Sequence, residues 1–374
     1  MKRRLRLKKD RPYRIILSGG GTGGHIFPAI AIANGIRERM PEADILFVGA
    51  KGKMEMEKVP KAGYRITGLP ITAFYRSLSL KNLLFPIRLI ISLILANRII
   101  CQFKPDLVIG TGGFASGPLL RAATWHHIPT LLQEQNSYPG VTNRILAKKV
   151  SRICVAYDGM EEYFPAGKMM MTGNPVRPGL DNPGITRDES VNHFGLEPQK
   201  PVVLLFGGSQ GARSLNLTIT AGLGKISSSS VQLIWQTGVS YRETAESLVS
   251  EQNASIIKVF DFIYDMDRAY AAADLVVCRS GALTLSELAI VGKPAILVPF
   301  PAAAADHQTK NANAFASQGA AILIPDHQAP ETLIGEMLKL IDNQQKLESM
   351  SLRMKALGKP NSTQVIVNEV FKLC

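Results

Sequence analysis

With 374 residues, the chain is longer than one ordinary hydrophobic core supports, and its length predicts two domains. Hydrophobic residues make up 46% and charged residues 20%, a composition typical of a water-soluble globular protein. The four cysteines show neither metal-site nor redox-motif spacing, which argues against a disulfide framework and favours a reducing compartment.

The net charge of +13 predicts a negatively charged partner, which could be nucleic acid, anionic lipid or a phosphorylated substrate. Part of the charge lies in residues 1–11, MKRRLRLKKDR, which form either a solvated tail or a binding arm. This arm lacks the apolar stretch of a signal peptide, so we expect a cytoplasmic protein. The sequence contains no helix-turn-helix, RRM or KH pattern, and we therefore expect no nucleic-acid partner.

Short apolar runs alternate with helical patterns along the chain. The strand-like runs are, in chain order, RIILSGG, ADILFVG, DLVIGTGG, PTLLQEQN, PVVLLFGG, VQLIWQTG, ADLVVCRSG, PAILVPF and AAILIP. Nearly continuous apolar strands in this alternation predict a doubly wound α/β fold with a parallel sheet. Because the pattern restarts at residues 202–206, after the Pro- and Gly-rich segment 173–184, we expect two Rossmann-like domains facing a cleft, with ligands at the carboxyl ends of the strands.

Three glycine-rich turns follow predicted strands and open predicted helices. They are residues 19–25 (GGGTGGH), 110–118 (GTGGFASGP) and 207–216 (GGSQGARSLN). Glycine lets backbone N–H groups approach an anion and a helix N-terminus adds a favourable partial charge, so three such turns favour phosphate chemistry. None is a Walker loop, and the strand after the first turn ends in VGAKG without the acidic residue that holds an adenosine ribose, which argues against an NAD dehydrogenase.

A fourth phosphate candidate is RSGALTLSE, residues 279–287, where a strand again leads into a helix that begins with small residues. Its backbone N–H groups could hold a diphosphate. Glu287 lies about two turns into this helix, where its carboxylate could accept hydrogen bonds from two ribose hydroxyls. The alternative is that Glu287 is an ordinary exposed helix residue.

Seven motifs together resemble the MurG family, the N-acetylglucosaminyltransferases that make lipid II for peptidoglycan synthesis. In chain order they read GGGTGGHIFPA, GTGGFASGP, EQNSYPGVTNR, TGNPVR, GGSQGARSLN, CRSGALTLSE and DHQTKNA. The resemblance spans nearly the whole chain and implies a GT-B fold, in which two Rossmann-like doubly wound parallel-sheet domains face a cleft. It implies an acceptor and membrane-docking domain at residues 1–175 plus 358–374, and a UDP-GlcNAc-binding domain at residues 176–357.

The implied reaction moves GlcNAc from UDP-GlcNAc to the C4 hydroxyl of MurNAc in lipid I, which is undecaprenyl-pyrophosphoryl-MurNAc-pentapeptide. An α-linked donor gives a β1,4 product, so the anomeric centre inverts in one displacement that needs a base and no enzyme nucleophile. Helix-terminal N–H groups can stabilise the leaving UDP. The sequence has no DxD motif on a strand end and no His/Cys/carboxylate cluster, so we expect no bound metal and no cofactor. Another GT-B enzyme that uses a UDP-sugar, a glycolipid synthase or a UDP-GlcNAc 2-epimerase, remains the alternative.

The resemblance also implies the residues that bind the donor. The backbone of Ile263 would read the uracil edge, Glu287 would bind the ribose, and Gln308 would contact the GlcNAc hydroxyls. The remaining implied UDP-GlcNAc contacts are Thr22, Gly23, Gly24, Asn136, Arg177, Ser209, Ala282, Leu283, Thr284, Leu285 and Ser286.

On the acceptor side, the first two glycine turns would cradle the diphosphate of lipid I. The residues implied for this role are Gly20, Gly21, Gly112, Gly113 and Ser116. His25 is the first candidate for the general base because an imidazole can take the hydroxyl proton near neutral pH, and Glu134 is the second. Phe114 and Gln133 depart from the family pattern, where tyrosine and histidine are common. A phenol hydroxyl therefore cannot be essential at the first position, and the claim for a base at the second is weaker.

A lipid-linked acceptor implies an enzyme that works at a membrane surface. Residues 81–104, KNLLFPIRLIISLILANRIICQFK, contain an apolar stretch from Leu83 to Leu95 that we expect to be too short to span a bilayer. It is either a buried helix or a docking surface, and its basic flanks suit anionic lipid. The resemblance implies a peripheral protein on the cytoplasmic face of the cell inner membrane, with cell-wall synthesis and division proteins as further partners.

Overall fold

The computed structural model describes residues 11–72, 85–177, 179–180, 184–208, 210–252 and 254–374. The chain divides into two compact units, with boundaries at Val176/Arg177 and Lys359/Pro360. The N-terminal unit consists of the residues up to Val176 together with residues 360–374. The C-terminal unit is Arg177–Lys359.

Strands and helices alternate in the N-terminal unit. Its strands are β1 (Arg14–Ser18), β2 (Asp44–Ala50), β3 (Arg65–Leu69), β4 (Leu107–Gly110), β5 (Thr130–Glu134), β6 (Arg152–Val155) and β7 (Met169–Met171). Its helices before the boundary are α1 (Gly23–Arg39), α2 (Glu55–Lys61), α3 (Phe85–Phe103), α4 (Ser116–Trp125) and α5 (Val141–Leu146). Two short 3₁₀ turns lie at Met160–Glu162 and Ala166–Lys168.

Among the described residues of this unit, all strands pair in parallel, in the order β3-β2-β1-β4-β5-β6-β7. The chain runs outward from β1 to β3 and then returns to β4 on the other side of β1. The switch point of the sheet therefore lies between β1 and β4, where Ser18 pairs with Gly110. Ligands of doubly wound sheets bind at this point, and the first two glycine turns begin there.

The C-terminal unit repeats the pattern. Its strands are β8 (Val202–Phe206), β9 (Gln232–Gln236), β10 (Ile257–Phe260), β11 (Leu275–Cys278), β12 (Ala295–Leu297) and β13 (Ala321–Leu323). Its helices are α6 (Arg187–His193), α7 (Arg213–Ser227), α8 (Arg242–Glu251), α9 (Met266–Ala272), α10 (Ala282–Val291), α11 (His307–Ala316), α12 (Ala329–Ile341) and α13 (Gln344–Ala356). Short 3₁₀ turns lie at Val239–Tyr241, Ala304–Asp306 and Asp326–Gln328.

The second sheet is also parallel, in the order β10-β9-β8-β11-β12-β13. Its switch point lies between β8 and β11, where Phe206 pairs with Cys278. The third glycine turn follows β8, and the segment RSGALTLSE follows β11. Each sheet thus places two of the four predicted phosphate-binding turns at its own switch point.

The last helix, α14 (Ser362–Leu373), belongs to the N-terminal unit and packs against α1. A Cβ on Gly35 would lie 2.9 Å from Thr363 Cγ2 and 3.1 Å from Val367 Cγ2, so glycine at this position permits the close approach of the two helices. The buried Ile366, Val367 and Val370 complete the core beneath β1.

The predicted α/β class and the two parallel sheets are confirmed. Nine strand-like runs predicted from the sequence contain β1, β2, β4, β5, β8, β9, β11, β12 and β13. The sequence pattern did not reveal β3, β6, β7 and β10, of which β3, β7 and β10 lie at the edges of their sheets.

Candidate active site

His25 lies on the first turn of α1, and its ring orientation is set by two carbonyl oxygens. Nδ1 is 2.9 Å from the backbone oxygen of Thr111 and 2.9 Å from Oε1 of Gln135. Both atoms can only accept, so Nδ1 carries the proton and donates to them, and the Nε2 lone pair is left as the basic site. Nε2 has no hydrogen-bond partner among the described residues.

A chain of buried amides fixes the side chain of Gln135. Its Nε2 donates to the Thr111 carbonyl at 2.7 Å and to the Gln133 carbonyl at 3.2 Å, so its oxygen must face His25. Gln133 Nε2 donates to Asn174 Oδ1 at 2.9 Å, and Asn174 Nδ2 returns a bond to the Gln135 carbonyl at 3.0 Å. These three side chains are buried, and the sequence analysis did not single out Gln135 or Asn174.

The second glycine turn packs directly on the imidazole. A Cβ on Gly112 would lie 2.8 Å from His25 Nδ1, and the residue has φ of 98°, so two independent reasons require glycine here. Thr111 Oγ1 donates to the His25 carbonyl at 2.6 Å. The end of β4 therefore holds both the ring and the backbone of His25.

Glu134, at the end of β5, is 1% exposed and accepts four hydrogen bonds. Oε1 receives the N–H and Nδ2 of Asn136 at 3.0 and 3.1 Å, and Oε2 receives the N–H of Gly140 at 3.1 Å and Nδ2 of Asn143 at 2.7 Å. A carboxylate has about four lone-pair sites. All of them are occupied, so in this structure Glu134 organises the loop between β5 and α5, and its role as a base stays a prediction.

The first glycine turn leads into the N-terminus of α1. Thr22 is the N-cap in extended backbone conformation and makes no side-chain cap hydrogen bond to the described residues. Its carbonyl accepts the N–H groups of His25 and Ile26. The N–H groups of Gly23 and Gly24 have no intrahelical acceptor, and no acidic residue lies in the first turn. This end of α1 can therefore receive an anion.

The acceptor-diphosphate glycines predicted from the sequence pack against one another. A Cβ on Gly113 would lie 2.1 Å from the Gly20 carbonyl oxygen, and Gly113 has φ of 84°. The buried Ser116 donates through Oγ to the Gly113 carbonyl at 2.9 Å. The N–H of Gly21 donates to Oε2 of Glu55 at 3.1 Å, so this donor is already engaged. Their role in binding a diphosphate stays a prediction.

In the C-terminal unit, α10 begins directly after the switch-point strand β11. Its N-cap is Gly281, with no side-chain cap bond to the described residues and no acidic residue in the first turn. The N–H groups of Ala282, Leu283 and Thr284 form the open first turn of this helix. Leu285 is fully buried and Ser286 Oγ donates to the Ala282 carbonyl at 3.0 Å, so these two side chains serve the helix itself.

Glu287 is 6% exposed, which excludes the alternative that it is an ordinary exposed helix residue. Oε1 accepts a bond from Arg177 Nε at 2.8 Å, and Oε2 accepts one from the hydroxyl of Tyr270 at 3.0 Å. Burial, followed by the neighbouring charge of Glu287, raises the pKa of Tyr270 well above its ordinary value, so the phenol stays protonated and donates. Two of the four lone-pair sites of Glu287 remain for a ligand.

The remaining predicted donor contacts are divided between the two units. The Ile263 side chain is buried after β10, which leaves its backbone for any ligand contact. Gln308 Oε1 accepts the N–H of Phe300 at 2.9 Å, so its amide nitrogen points away from that bond. Ser209 lies outside the described residues. Thr22, Gly23, Gly24 and Asn136 lie in the N-terminal unit.

Arg279 is a buried charge that the sequence analysis missed as a separate element of the site. Nη1 donates to the Val298 and Pro299 carbonyls at 3.0 Å each and to Asp326 Oδ1 at 2.6 Å, and Nη2 donates to Ser214 Oγ at 2.7 Å. It ties the end of β11 to the loop after β12 and to α7. The only sequence signal for Arg279 was its place directly before Ser280-Gly281.

Across the part of the chain that the structure describes, no three His, Cys, Asp or Glu side chains cluster closely enough to hold a metal ion. The expectation of metal-free chemistry stays a prediction.

Comparison with known proteins places this geometry in a family. Residues 15–155 match the glycosyltransferase family 28 N-terminal domain, and residues 202–366 match the family 28 C-terminal domain. A relative from Cytophaga hutchinsonii is 50% identical over 367 residues, which cover 98% of each chain. The chain belongs to the MurG family of glycosyltransferase family 28. That relative is named UDP-N-acetylglucosamine–N-acetylmuramyl-(pentapeptide) pyrophosphoryl-undecaprenol N-acetylglucosamine transferase, as is a relative from Porphyromonas gingivalis that is 52% identical over 98% of this chain and 97% of its own.

Solved structures agree with this assignment. The crystal structure of Acinetobacter baumannii MurG matches with a TM-score of 0.78 and 29% identity, and the match covers 96% of this chain and 100% of that one. The UDP-GlcNAc 2-epimerase of Neisseria meningitidis, solved with UDP-GlcNAc bound, matches with a TM-score of 0.64 at 15% identity, over 96% of this chain and 100% of that one. At that identity the second match shows a shared fold alone.

Proposed function

We propose that this member of the family carries out its reaction with a donor site around α10 in the C-terminal unit and with an acceptor site and a base at the β1/β4 switch point. The enzyme is a UDP-GlcNAc-dependent N-acetylglucosaminyltransferase that produces lipid II for peptidoglycan synthesis. Its donor is UDP-GlcNAc and its acceptor is lipid I. About half identity over nearly the full length of several transferases with this name supports the activity, and the epimerase alternative has only a shared fold in its favour.

The donor diphosphate fits the open N-terminus of α10. Helix-terminal N–H groups at Ala282, Leu283 and Thr284 can bind phosphate oxygens without a metal, and the helix dipole favours the charge that UDP gathers as it leaves. Glu287 would then accept the ribose hydroxyls through its two remaining lone-pair sites. The backbone at Ile263 would meet the uracil edge, and Gln308 would meet the sugar.

His25 is the general base of this proposal, and the observation that carries it is the pair of acceptor oxygens beside Nδ1. Nδ1–H is committed to Thr111 and Gln135, so Nε2 can accept the proton of the MurNAc C4 hydroxyl. The C4 oxygen attacks the anomeric carbon of GlcNAc, the bond from that carbon to the diphosphate oxygen breaks, and UDP leaves with the electron pair. The anomeric centre inverts in this single displacement. Glu134 organises the neighbouring loop instead of acting as the base.

The outer face of α3 is the proposed membrane-docking surface. Of the described residues, α3 forms the one helix that is long and apolar enough to cross a bilayer, because it extends to Phe103 and so exceeds the predicted apolar stretch that ended at Leu95. The length of α3 therefore does not exclude a transmembrane helix, but one face of α3 packs inside the protein, where Ser92, Ala96 and Ile100 are buried.

The opposite face of α3 carries an exposed apolar stripe at helical spacing, formed by Ile87 (55% exposed), Ile90 (58%), Ile91 (43%) and Ile94 (55%). Arg98 and Lys104 are exposed beside it, Arg88 is half-buried and bonds Thr72 Oγ1, and Lys81 lies outside the described residues. An apolar stripe with basic neighbours suits the surface of an anionic bilayer. Docking there would place the enzyme on the cytoplasmic face of the inner membrane. Cell-wall synthesis and division proteins are proposed as partners on the resemblance alone.

The direct test is an assay of purified protein with UDP-GlcNAc and a short-chain lipid I analogue. We expect release of UDP in equal amount with a β1,4-linked disaccharide product. The proposal is overturned by donor hydrolysis or epimerisation that proceeds at the same rate without the acceptor.

A further inference from the structure

Glu55 is a fully buried carboxylate that neither the sequence motifs nor the mechanism above assigns a role. It is the first residue of α2, and its side chain points away from that helix into the turn after β1. Oε1 accepts the N–H of Ala50 at 2.9 Å, and Oε2 accepts the N–H of Gly21 at 3.1 Å. The carboxylate thus joins the end of β2 to the first glycine turn.

Three glycines lie beside this carboxylate, and at two of them a Cβ would overlap the Glu55 side chain. A Cβ on Gly20 would lie 2.2 Å from Glu55 Oε1, and a Cβ on Gly49 would lie 2.5 Å from Glu55 Cγ. Gly21 has φ of 87°, a conformation that favours glycine, and its N–H points at Oε2. Gly113 of the second glycine turn packs against the carbonyl oxygen of Gly20, so Glu55 is linked through Gly20 to the second turn as well.

We propose that Glu55 is a positioning residue for the acceptor-diphosphate site, an inference that rests on the proposed function. By binding the Gly21 N–H, it removes that donor from ligand binding and fixes the rotation of the peptide units that follow. After Gly21, the hydrogen-bond donors that stay available in the first turn are then the N–H groups of Thr22, Gly23 and Gly24 at the start of α1, three residues for which the resemblance implied contact with UDP-GlcNAc.

The charge of Glu55 and its position have opposite effects on an anionic acceptor. A negative charge beside a bound diphosphate repels it, so removing the charge alone would tighten acceptor binding. Losing the hydrogen bond frees the turn to rotate, which weakens binding. The direction of the change in acceptor affinity therefore separates a positioning role from a purely electrostatic one.

Two variants perturb Glu55 in different ways. Glu55→Gln keeps the shape but places an amide NH₂ against a backbone N–H, so one of the two bonds is lost. Gly49→Ala keeps the charge and forces the side chain to move, because the new Cβ would meet Glu55 Cγ. Val59→Ala is the matched control: Val59 is fully buried on the same helix, and its side chain belongs to the apolar core beneath β1.

We expect both Glu55→Gln and Gly49→Ala to lower kcat/KM for the lipid I analogue, by at most the roughly 10- to 150-fold that a lost hydrogen bond to a charged group corresponds to. The affinity for UDP, measured by calorimetry, should stay within about twofold because the proposed contacts to its uracil, ribose and diphosphate lie around α10 in the C-terminal unit. Val59→Ala should lower the melting temperature while leaving both kinetic constants of its folded fraction unchanged. If all three variants lose activity only in proportion to their folded fraction, or if Glu55→Gln binds the acceptor more tightly, the positioning role is wrong.

A second readout does not depend on activity. Hydrogen–deuterium exchange of the peptide that covers residues 17–26 should quicken by about 10- to 150-fold at its protected amide in Glu55→Gln and should stay slow in Val59→Ala. Unchanged exchange in Glu55→Gln would refute the inference even in an active enzyme. If wild-type protein fails to glycosylate lipid I but the exchange result holds, the proposed function fails and the positioning of the turn stands.

Discussion

Replacing Glu287 with glutamine tests the donor site at its most specific contact. The wild-type carboxylate already accepts bonds from Arg177 Nε at 2.8 Å and from the Tyr270 hydroxyl at 3.0 Å. Two lone-pair sites remain, one for each ribose hydroxyl. Glutamine keeps the shape and one oxygen, but it removes the charge and introduces a donor where an acceptor is needed.

The expected loss follows from the strength of a hydrogen bond to a charged group. Such a bond contributes about 1.5–3 kcal/mol, and each 1.36 kcal/mol corresponds to about tenfold, so one lost ribose contact lowers kcat/KM for UDP-GlcNAc by about 10- to 150-fold. Alanine would be a poorer choice, because it would also leave the buried Tyr270 hydroxyl without an acceptor at a further cost of about 1–3 kcal/mol in stability. Glu243→Gln, at an exposed position of the same unit, is the control for the loss of one negative charge.

The assay compares UDP with 2′-deoxy-UDP on both proteins by calorimetry. If Glu287 binds the ribose 2′-hydroxyl, removing the carboxylate charge and removing the hydroxyl destroy the same contact, so the two losses must be strongly non-additive. Additive losses would show that the side chain and the hydroxyl act independently. That result, or an unchanged affinity for UDP in a folded Glu287→Gln, would refute the assignment of Glu287 to the ribose.

Three further predictions follow from the N-terminal unit. His25→Ala should lower kcat by about 10²–10⁴-fold in a stopped assay and leave the affinity for UDP, measured by calorimetry, intact. A variant that keeps most of the wild-type kcat between about pH 5 and 8 would show that another group is the base. Glu134→Gln should lower the free energy of unfolding by about 1–3 kcal/mol, because its NH₂ would face N–H donors, while kcat of the folded fraction stays near wild type; a selective kcat loss without destabilisation would restore Glu134 as a base. Arg98→Glu should reduce co-sedimentation with anionic vesicles only at low salt, and the pair Ile90→Ser and Ile94→Ser should reduce it at all salt concentrations. If the wild-type protein binds no vesicle, α3 has a structural role only.

The sequence was a good guide to the parts of the fold that burial dictates. Strands β1, β4, β8 and β11 lie in the middle of their sheets and are apolar on both faces, so each was visible as a continuous apolar run. Strand β3 lies at an edge, and its residues alternate between exposed and half-buried until Leu69. Its sequence, RITGL, has no continuous apolar run, and a pattern search that relies on burial therefore misses it.

The candidate site was predictable only where the chemistry is local in sequence. His25 and the glycine turns follow strand ends, Glu287 lies in the helix after β11, and a motif marks each of them. The partners that give these residues their roles come from distant segments. Gln135 meets His25 across 110 positions, and Tyr270 meets Glu287 across 17. Such contacts are set by sheet order, which one sequence without its structure does not display.

Three buried glutamates show that the role of a side chain depends on its contacts, which a sequence motif does not reveal. Glu134 uses all of its acceptor sites on four N–H groups of the following loop and α5, and so it stiffens that loop. Glu287 uses two of its acceptor sites on Arg177 and Tyr270 and keeps two free, and so it can bind a ligand. Glu55 also uses two of its acceptor sites, but its side chain is fully buried, so its remaining acceptor sites reach no ligand and its effect passes through the turn that it holds. The same side chain therefore supports a loop, a substrate or a neighbouring site according to its free lone pairs and its access to solvent, and each of these roles predicts a different result when the charge is removed.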